Sequence, residues 1–454
     1  MTTSPQSVRG TTAMAVAPHA LAADSALAVL REGGDAVEAM VAAAATIAVV
    51  YPHMNGLGGD GFWLIGAPDR DVMGIDACGG AASAATVDLY REHGLDGIPT
   101  RGPLAANTVA GTVSGWQAAL EWSSEHLGSS LPLSRLLQDA VDHAERGVPV
   151  TTSQASATAA KRDELVDVAG FAATYLPGGA PPAAGDRFVQ ARLGTTLRRL
   201  AEAGLDDFYR GELAASMARD LAAAGSPVTS DDLARHTATV RTPLALQHSL
   251  GTVYNMPPPT QGLVSLQILG LLDRLLGSGT DPDDPAFVHL AVEATKQAFS
   301  VRDRYVTDPA FSDVDVQALL RPDALDEMAS RVDPSAAAPW GAGRGPADTV
   351  WMGVVDARGV AVSFIQSVYH EFGSGVVLPG TGITWQNRGA SFSLDDGALN
   401  RLEPRRKPFH TLNPAMARLD DGRVLVYGSM GGDGQPQSQS AVFSRVTAFG
   451  MGPQ

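Results

Sequence analysis

The amino-acid sequence predicts an α/β protein of the α+β kind. Three observations carry that reading. Apolar residues recur with a helical period through much of residues 20–305. From about 348 the period shortens to two, as in strands. Asp-Ala-Arg-Gly (356–359) and Asp-Asp-Gly (420–422) then join neighbouring alternating stretches, as antiparallel hairpins require. At 454 residues the chain exceeds one ordinary domain and fits an enzyme core of several layers.

Residues 20–50 read as two alanine-rich helices, the first stopped by Gly33 and Gly34 and the second capped by Asp35. The apolar run Ala39–Tyr51 is shorter than the roughly 20 residues a bilayer span needs, so it reads as a buried helix. PHMNGLGGDGFWLIG (52–66) is a tight loop followed by a strand, FWLIG. Its glycines precede a strand instead of opening a helix, the wrong order for a dinucleotide-binding loop. Asn55 and the glycines of 56–61 are assigned to loop shape. Residues 133–148 and 192–224 read as amphipathic helices around a Gly/Pro/Ala-rich loop at 176–187. Thr229 or Ser230 caps a helix start at 229–236. Residues 253–275 read as a turn and then a helix, and 287–305 as another helix. After 348, strands are expected in WMGVVDARGVAVSFIQSV, GVVLPGTGITWQN and AMARLDDGRVLVYGSMGG. The ending FSRVTAFGMGPQ has the character of mid-loop, so a further segment is expected after Gln454.

A net charge of −16 and a pI of about 5.0 disfavour nucleic acid and anionic membranes as partners, because both need a basic face. A small anionic substrate remains open to a local Arg or His cluster. The single cysteine, Cys78, can form neither an internal disulfide nor a Cys-rich metal site. The N-terminal stretch has one Arg before a weakly apolar run broken by Pro18 and His19, so it reads as mature sequence. The expected location is the cytoplasm.

No HExxH, no P-loop and no GxSxG occurs, and the ten histidines are scattered, so no metal or organic cofactor is expected. Thr349 remains, in GPADTVWMG. At a new N-terminus a threonine carries a hydroxyl nucleophile and an α-amine base, pKa near 8, on one residue. It needs an oxyanion hole, which the Gly-rich stretch GSMGGDGQPQ (428–437) offers. A strand-edge threonine and a glycine-rich hairpin are the commoner reading of the same residues.

Collinear blocks change that balance. GGDAVEAMVAAAATIAVVYPHMNGLGGDGFWLI, NTVAGTVSGW (107–116), MPPPTQG (256–262), HLAVEATKQAFSVRDRYVTDP (289–309), DTVWMGVVDARGVAVSF, FGSGVVLPGTGITWQN and YGSMGG together resemble the γ-glutamyltransferase family of N-terminal-nucleophile hydrolases. The resemblance implies a four-layer αββα sandwich, divided into 1–348 (large subunit part) and 349–454 (small subunit part). It implies self-cleavage between Asp348 and Thr349, with the two fragments staying associated, and a homo-oligomer is open. It places a supporting hydroxyl at Ser367 and the oxyanion glycines at Gly431 and Gly432. The family's amino-acid clamp is largely missing. Its arginine falls on Val87, its amino-binding acid near Ser391, its serine pair on His410 and Thr411. The threonine and histidine after the nucleophile become Val350 and Trp351. QSVYHEFGSG, WQNRGASFSL and KPFHTLNPA resemble instead the branch that includes oxamate amidohydrolase.

The expected substrate is therefore a small amide of an anionic acyl group, oxamate first. Arg388 can grip a carboxylate with two parallel bonds, and His410, Thr411 and Tyr369 are the other candidate substrate-binding residues. A γ-glutamyl transferase, hydrolase or acylase with a rebuilt clamp is the alternative, and an unprocessed binding relative a second one.

Overall fold

The computed structural model describes residues 7–277, 280–340 and 349–452. The strands are β1 (Met14–Val16), β2 (Asp60–Gly66), β3 (Met73–Ala77), β4 (Val148–Pro149), β5 (Arg187–Phe188), β6 (Thr239–Arg241), β7 (Leu244–His248), β8 (Gly251–Asn255), β9 (Val350–Val355), β10 (Ala361–Ser367), β11 (Ala415–Leu419) and β12 (Val424–Tyr427). They form a six-stranded sheet in the order β1-β9-β10-β2-β3-β6 and a four-stranded sheet in the order β12-β11-β8-β7, with β4 and β5 a small separate pair. Strands from before and after Thr349 interleave in the six-stranded sheet and meet at the β11–β8 pairing in the four-stranded one.

Period-two patterning assigns each face. Phe62 and Leu64 of β2, with Ala361 and Ile365 of β10, pack against Met416 and Met256 between the sheets. Trp63 and Ile65, with Val362 and Phe364, point the other way into the helical layer. Trp63 and Phe364 are cross-strand partners with ring centroids 4.1 Å apart, a pair worth about 0.5–1.5 kcal/mol beyond its burial. Helices Ala36–Val50 and Thr112–Leu127 cover the six-stranded sheet, and Gly262–Leu275 and Gln435–Phe443 cover the other. The result is the αββα sandwich.

Local readings hold where the signal is local. Asp35 caps the helix Ala36–Val50 in a reciprocal box with Glu38, and every residue of that helix is buried. Thr229 caps Ser230–Arg235 in the same way. Among the described residues no helix is long and apolar enough to cross a membrane. Three expectations change. The 192–224 helix is divided into Ala191–Ala203, Asp207–Arg210 and Glu212–Ala224. Residues 253–255 belong to β8 rather than to a turn, because they pair with β7 and β11. GVVLPGTGITWQN makes only isolated bridges, Val377 to Thr384 and Trp385 to Gly58, and left-handed Gly382 lies in the turn between Val377 and Thr384.

Candidate active site

Three central strands of the six-stranded sheet bring the site together at one end. Val350 of β9 pairs with Gln366 of β10. One step further along this antiparallel ladder sets Thr349 beside Ser367, and Ser367 pairs with Asp60 of β2. Thr349, Ser367 and Asp60 thus lie side by side at 1%, 3% and 0% exposure. Asp348 lies outside the described residues. The glycine loop closes over this end because a Cβ on Gly59 would stand 2.2 Å from the Ser367 carbonyl oxygen, and one on Gly58 2.2 Å from that of Thr384.

Past Ser367 the strand stops. Tyr369 has a φ of +82°, which a tyrosine rarely adopts, and its N–H donates to Ser367 Oγ at 2.8 Å. The guanidinium carbon of Arg388 lies 3.2 Å from the centroid of the Tyr369 ring, a cation–π contact. Tyr369 is thus a turn residue beneath a cation, not a strand residue. Arg388 opens the 3-10 turn Arg388–Ser391 and is 2% exposed. Its Nη1 reaches Thr411 Oγ1 at 3.5 Å, while Nε and Nη2 have no partner among the described residues. Burial lowers its pKa, against the fields of Tyr369, Asp60 and Asp433.

His410 is also buried, with Nε2 3.1 Å from Asp60 Oδ2 in a poorly aligned contact. Its Nδ1 has no partner among the described residues. Desolvation, and next the Arg388 charge, hold the imidazole well below its ordinary pKa, so the ring is neutral. Desolvation pushes Asp60 up to about 7, against N–H bonds from Gly79 (3.1 Å) and Gly111 (3.0 Å) to Oδ1. Ser367, Tyr369, Arg388, His410 and Thr411, with Gln386 and Leu412, line a narrow crevice.

Gly431 and Gly432 adjoin this pocket instead of lining it. Gly431, at φ +107°, turns its carbonyl to the Gln435 side chain. The Gly432 carbonyl accepts from the Gln435 N–H at 3.1 Å and from Gln261 Nε2 at 3.0 Å. Neither glycine N–H is used by the described residues, which is what an oxyanion hole requires. Gln261 Nε2 also donates to the Thr411 carbonyl at 3.0 Å, so one side chain ties this turn to the crevice that Thr411 lines.

The positions that would hold an amino acid carry no charge. Val87 opens the helix Val87–Glu92 and packs on the helical core. Ser391 Oγ donates to the Phe409 carbonyl at 3.1 Å, and the Trp351 indole to Ser363 Oγ at 2.9 Å. Asp60, Gln261 and Gln386 escape sequence reasoning. For Asp60 a signal exists: a lone acid between glycines, ahead of an apolar strand, is destined for burial and must find a partner. Gln261 and Gln386 offer none.

The Gamma-glutamyltranspeptidase family matches residues 22–454. The chain is 61% identical over 438 residues to the oxamate amidohydrolase proenzyme of Klebsiella pneumoniae subsp. pneumoniae, over 96% of this chain and 82% of that protein. It is 38% identical over 454 residues to the glutathione hydrolase-like YwrD proenzyme of Bacillus subtilis, over 99% and 84% of the two chains. The crystal structure of cephalosporin acylase from Bacillus halodurans matches with a TM-score of 0.89 at 31% identity, over 100% of this chain and 84% of that one.

Proposed function

The chain belongs to the γ-glutamyltranspeptidase family of N-terminal-nucleophile hydrolases, and from that premise we propose that it is a self-processing amidohydrolase converting oxamate to oxalate and ammonia. The observation that carries the substrate is Arg388. A buried guanidinium with Nε and Nη2 unpartnered is costly until an anion completes it. The carboxylate of a small amide acid would do so, beside Tyr369, His410 and Thr411. The hydroxyl at Ser391, where the family has its amino-binding acid, supports an acyl group without an amino substituent.

Maturation begins when Thr349 Oγ1 attacks the Asp348 carbonyl. An N→O acyl shift yields an ester, water opens it, and the α-amine of Thr349 is freed. In turnover that amine takes the hydroxyl proton as Oγ1 attacks the amide carbon, with Ser367 supporting the nucleophile. The Gly431 and Gly432 N–H groups receive the oxyanion. The C–N bond breaks, the amine returns its proton to the departing ammonia, and water hydrolyses the acyl-threonine ester.

Intact mass and N-terminal sequencing of the purified protein, with ammonia release from oxamate, test this reading. Two fragments cut before Thr349 and ammonia release are expected, and Thr349→Ala should remain uncut and inactive. Turnover of a γ-glutamyl anilide with none of oxamate would move the assignment to a rebuilt γ-glutamyl enzyme. A single uncut band without amidase activity would indicate a binding relative.

A further inference from the structure

We propose that Tyr369 is a positioning residue and not a substrate ligand: the face of its ring holds the Arg388 guanidinium flat, so that the unpartnered Nε–Nη2 edge is presented to the substrate carboxylate. This rests on Arg388 as the carboxylate site and not on the amide chemistry.

A buried cation without an acid beside it must be held by something else. Among the described residues the Arg388 side chain has one hydrogen bond, Nη1 to Thr411 Oγ1 at 3.5 Å, and no carboxylate partner. The Tyr369 ring supplies the other contact, its centroid 3.2 Å from the guanidinium carbon. At that distance the guanidinium lies parallel to the ring, because standing on edge would drive one of its nitrogens into the ring atoms. The negative face of the ring then meets the whole delocalised cation. Nε and Nη2, the two nitrogens left without partners, form an edge whose N–H bonds run parallel, the fork that fits a carboxylate. Stacking on Tyr369 sets the plane of that fork, and Thr411 at Nη1 sets its rotation within the plane.

The backbone keeps the ring in that place. Tyr369 holds a φ of +82° against the preference of its Cβ, in a turn tied down on both sides. Its N–H donates to Ser367 Oγ at 2.8 Å, the His370 N–H to Asn387 Oδ1 at 3.1 Å, and the Asn387 N–H to the Val368 carbonyl at 3.2 Å. Asn387 immediately precedes Arg388, so ring and cation are mounted on one bonded frame. The His370 ring packs on that of Tyr369 with centroids 4.3 Å apart; burial lowers its pKa to about 4, so it brings no second cation to the ring. The N–H bond to Ser367 survives a change of the Tyr369 side chain, so the role of the ring can be tested apart from the support of the nucleophile.

Pyruvate is the probe, a small carboxylate without the amide, and its Kd is measured by calorimetry on the purified protein. Tyr369→Phe should bind within about threefold of wild type, because the ring face is kept. Tyr369→Leu should bind about thirtyfold more weakly, the loss expected for a desolvated cation–π contact. Mono-, di- and trifluorinated phenylalanine at this position should weaken binding step by step, because fluorine drains the negative face of the ring while nearly keeping its shape. This series carries the test if Tyr369→Leu fails to fold. In oxamate turnover the same series should raise KM at nearly constant kcat. Equal losses in Tyr369→Phe and Tyr369→Leu would make the hydroxyl a substrate ligand, a Kd indifferent to fluorine would reduce the ring to packing, and no pyruvate binding by the wild type would remove the carboxylate site; each result would overturn the proposal. Graded pyruvate binding without oxamate turnover would uphold it while sinking the oxamate assignment.

Discussion

Asp60 and Asp76 stand on paired strands, β2 and β3, and are almost equally buried, at 0% and 2% exposure, yet they titrate in opposite directions. Burial pushes Asp76 up, but the charge and hydrogen bond of Lys407, Nζ 2.6 Å away, outweigh it and leave the carboxyl below its ordinary range. Burial pushes Asp60 up to about 7 because no cation touches it. Asp76 is completed by its own chain and holds β3 to the segment around Lys407. Asp60, Arg388 and His410 are buried with bonds still unmade, and in a folded protein such vacancies in a pocket mark a place prepared for a ligand.

Substitutions on the two sides should separate these roles. Arg388→Met should lower kcat/KM for oxamate about a thousandfold, as loss of a buried charge partner does. Its melting temperature should hold or rise, because an unpaired buried charge is removed. A large fall in melting temperature would make Arg388 structural. Lys407→Met should destabilise by about 3–5 kcal/mol in denaturant unfolding, because Asp76 would be left charged and alone, and much of the loss should return in the double variant with Asp76→Asn. Asp60→Asn is the subtlest. The folded carboxyl titrates at about 7 against an ordinary 3.8, so the native state holds a proton that the unfolded chain has released between those values. Wild-type stability should therefore fall relative to the variant as pH rises from about 4 to about 7, by roughly 1.4 kcal/mol per unit, with no further divergence above. Parallel stability curves would show that Asp60 has a cation partner after all.

Much of the fold and part of the site were legible in the sequence. Thr349, Ser367, Arg388, His410 and Thr411 stand in blocks whose order and content mark them, and the structure gathers the last four, with Tyr369, around one crevice and sets Thr349 beside Ser367. Asp60 and Gln261 were not legible as site residues. Asp60 gains its meaning from His410, and Gln261 from bridging Thr411 and Gly432, both distant along the chain. The sequence marks Arg388 as a candidate carboxylate clamp, but its burial and the cation–π contact with Tyr369 depend on a left-handed turn that no periodicity announces.

The sequence by itself determined what acts over a few residues: the capped helix Ala36–Val50, the hairpins at 356–359 and 420–422, and the glycine loop before β2. Caps, turns and side-chain periods are short-range effects, and neighbours in sequence suffice to specify them. Only the tertiary structure decided that β2, β10 and β9 lie side by side, which sets Asp60, Ser367 and Thr349 in one row. It alone decided which buried acid meets a lysine and which waits beside a histidine, because desolvation and charge compensation act through space.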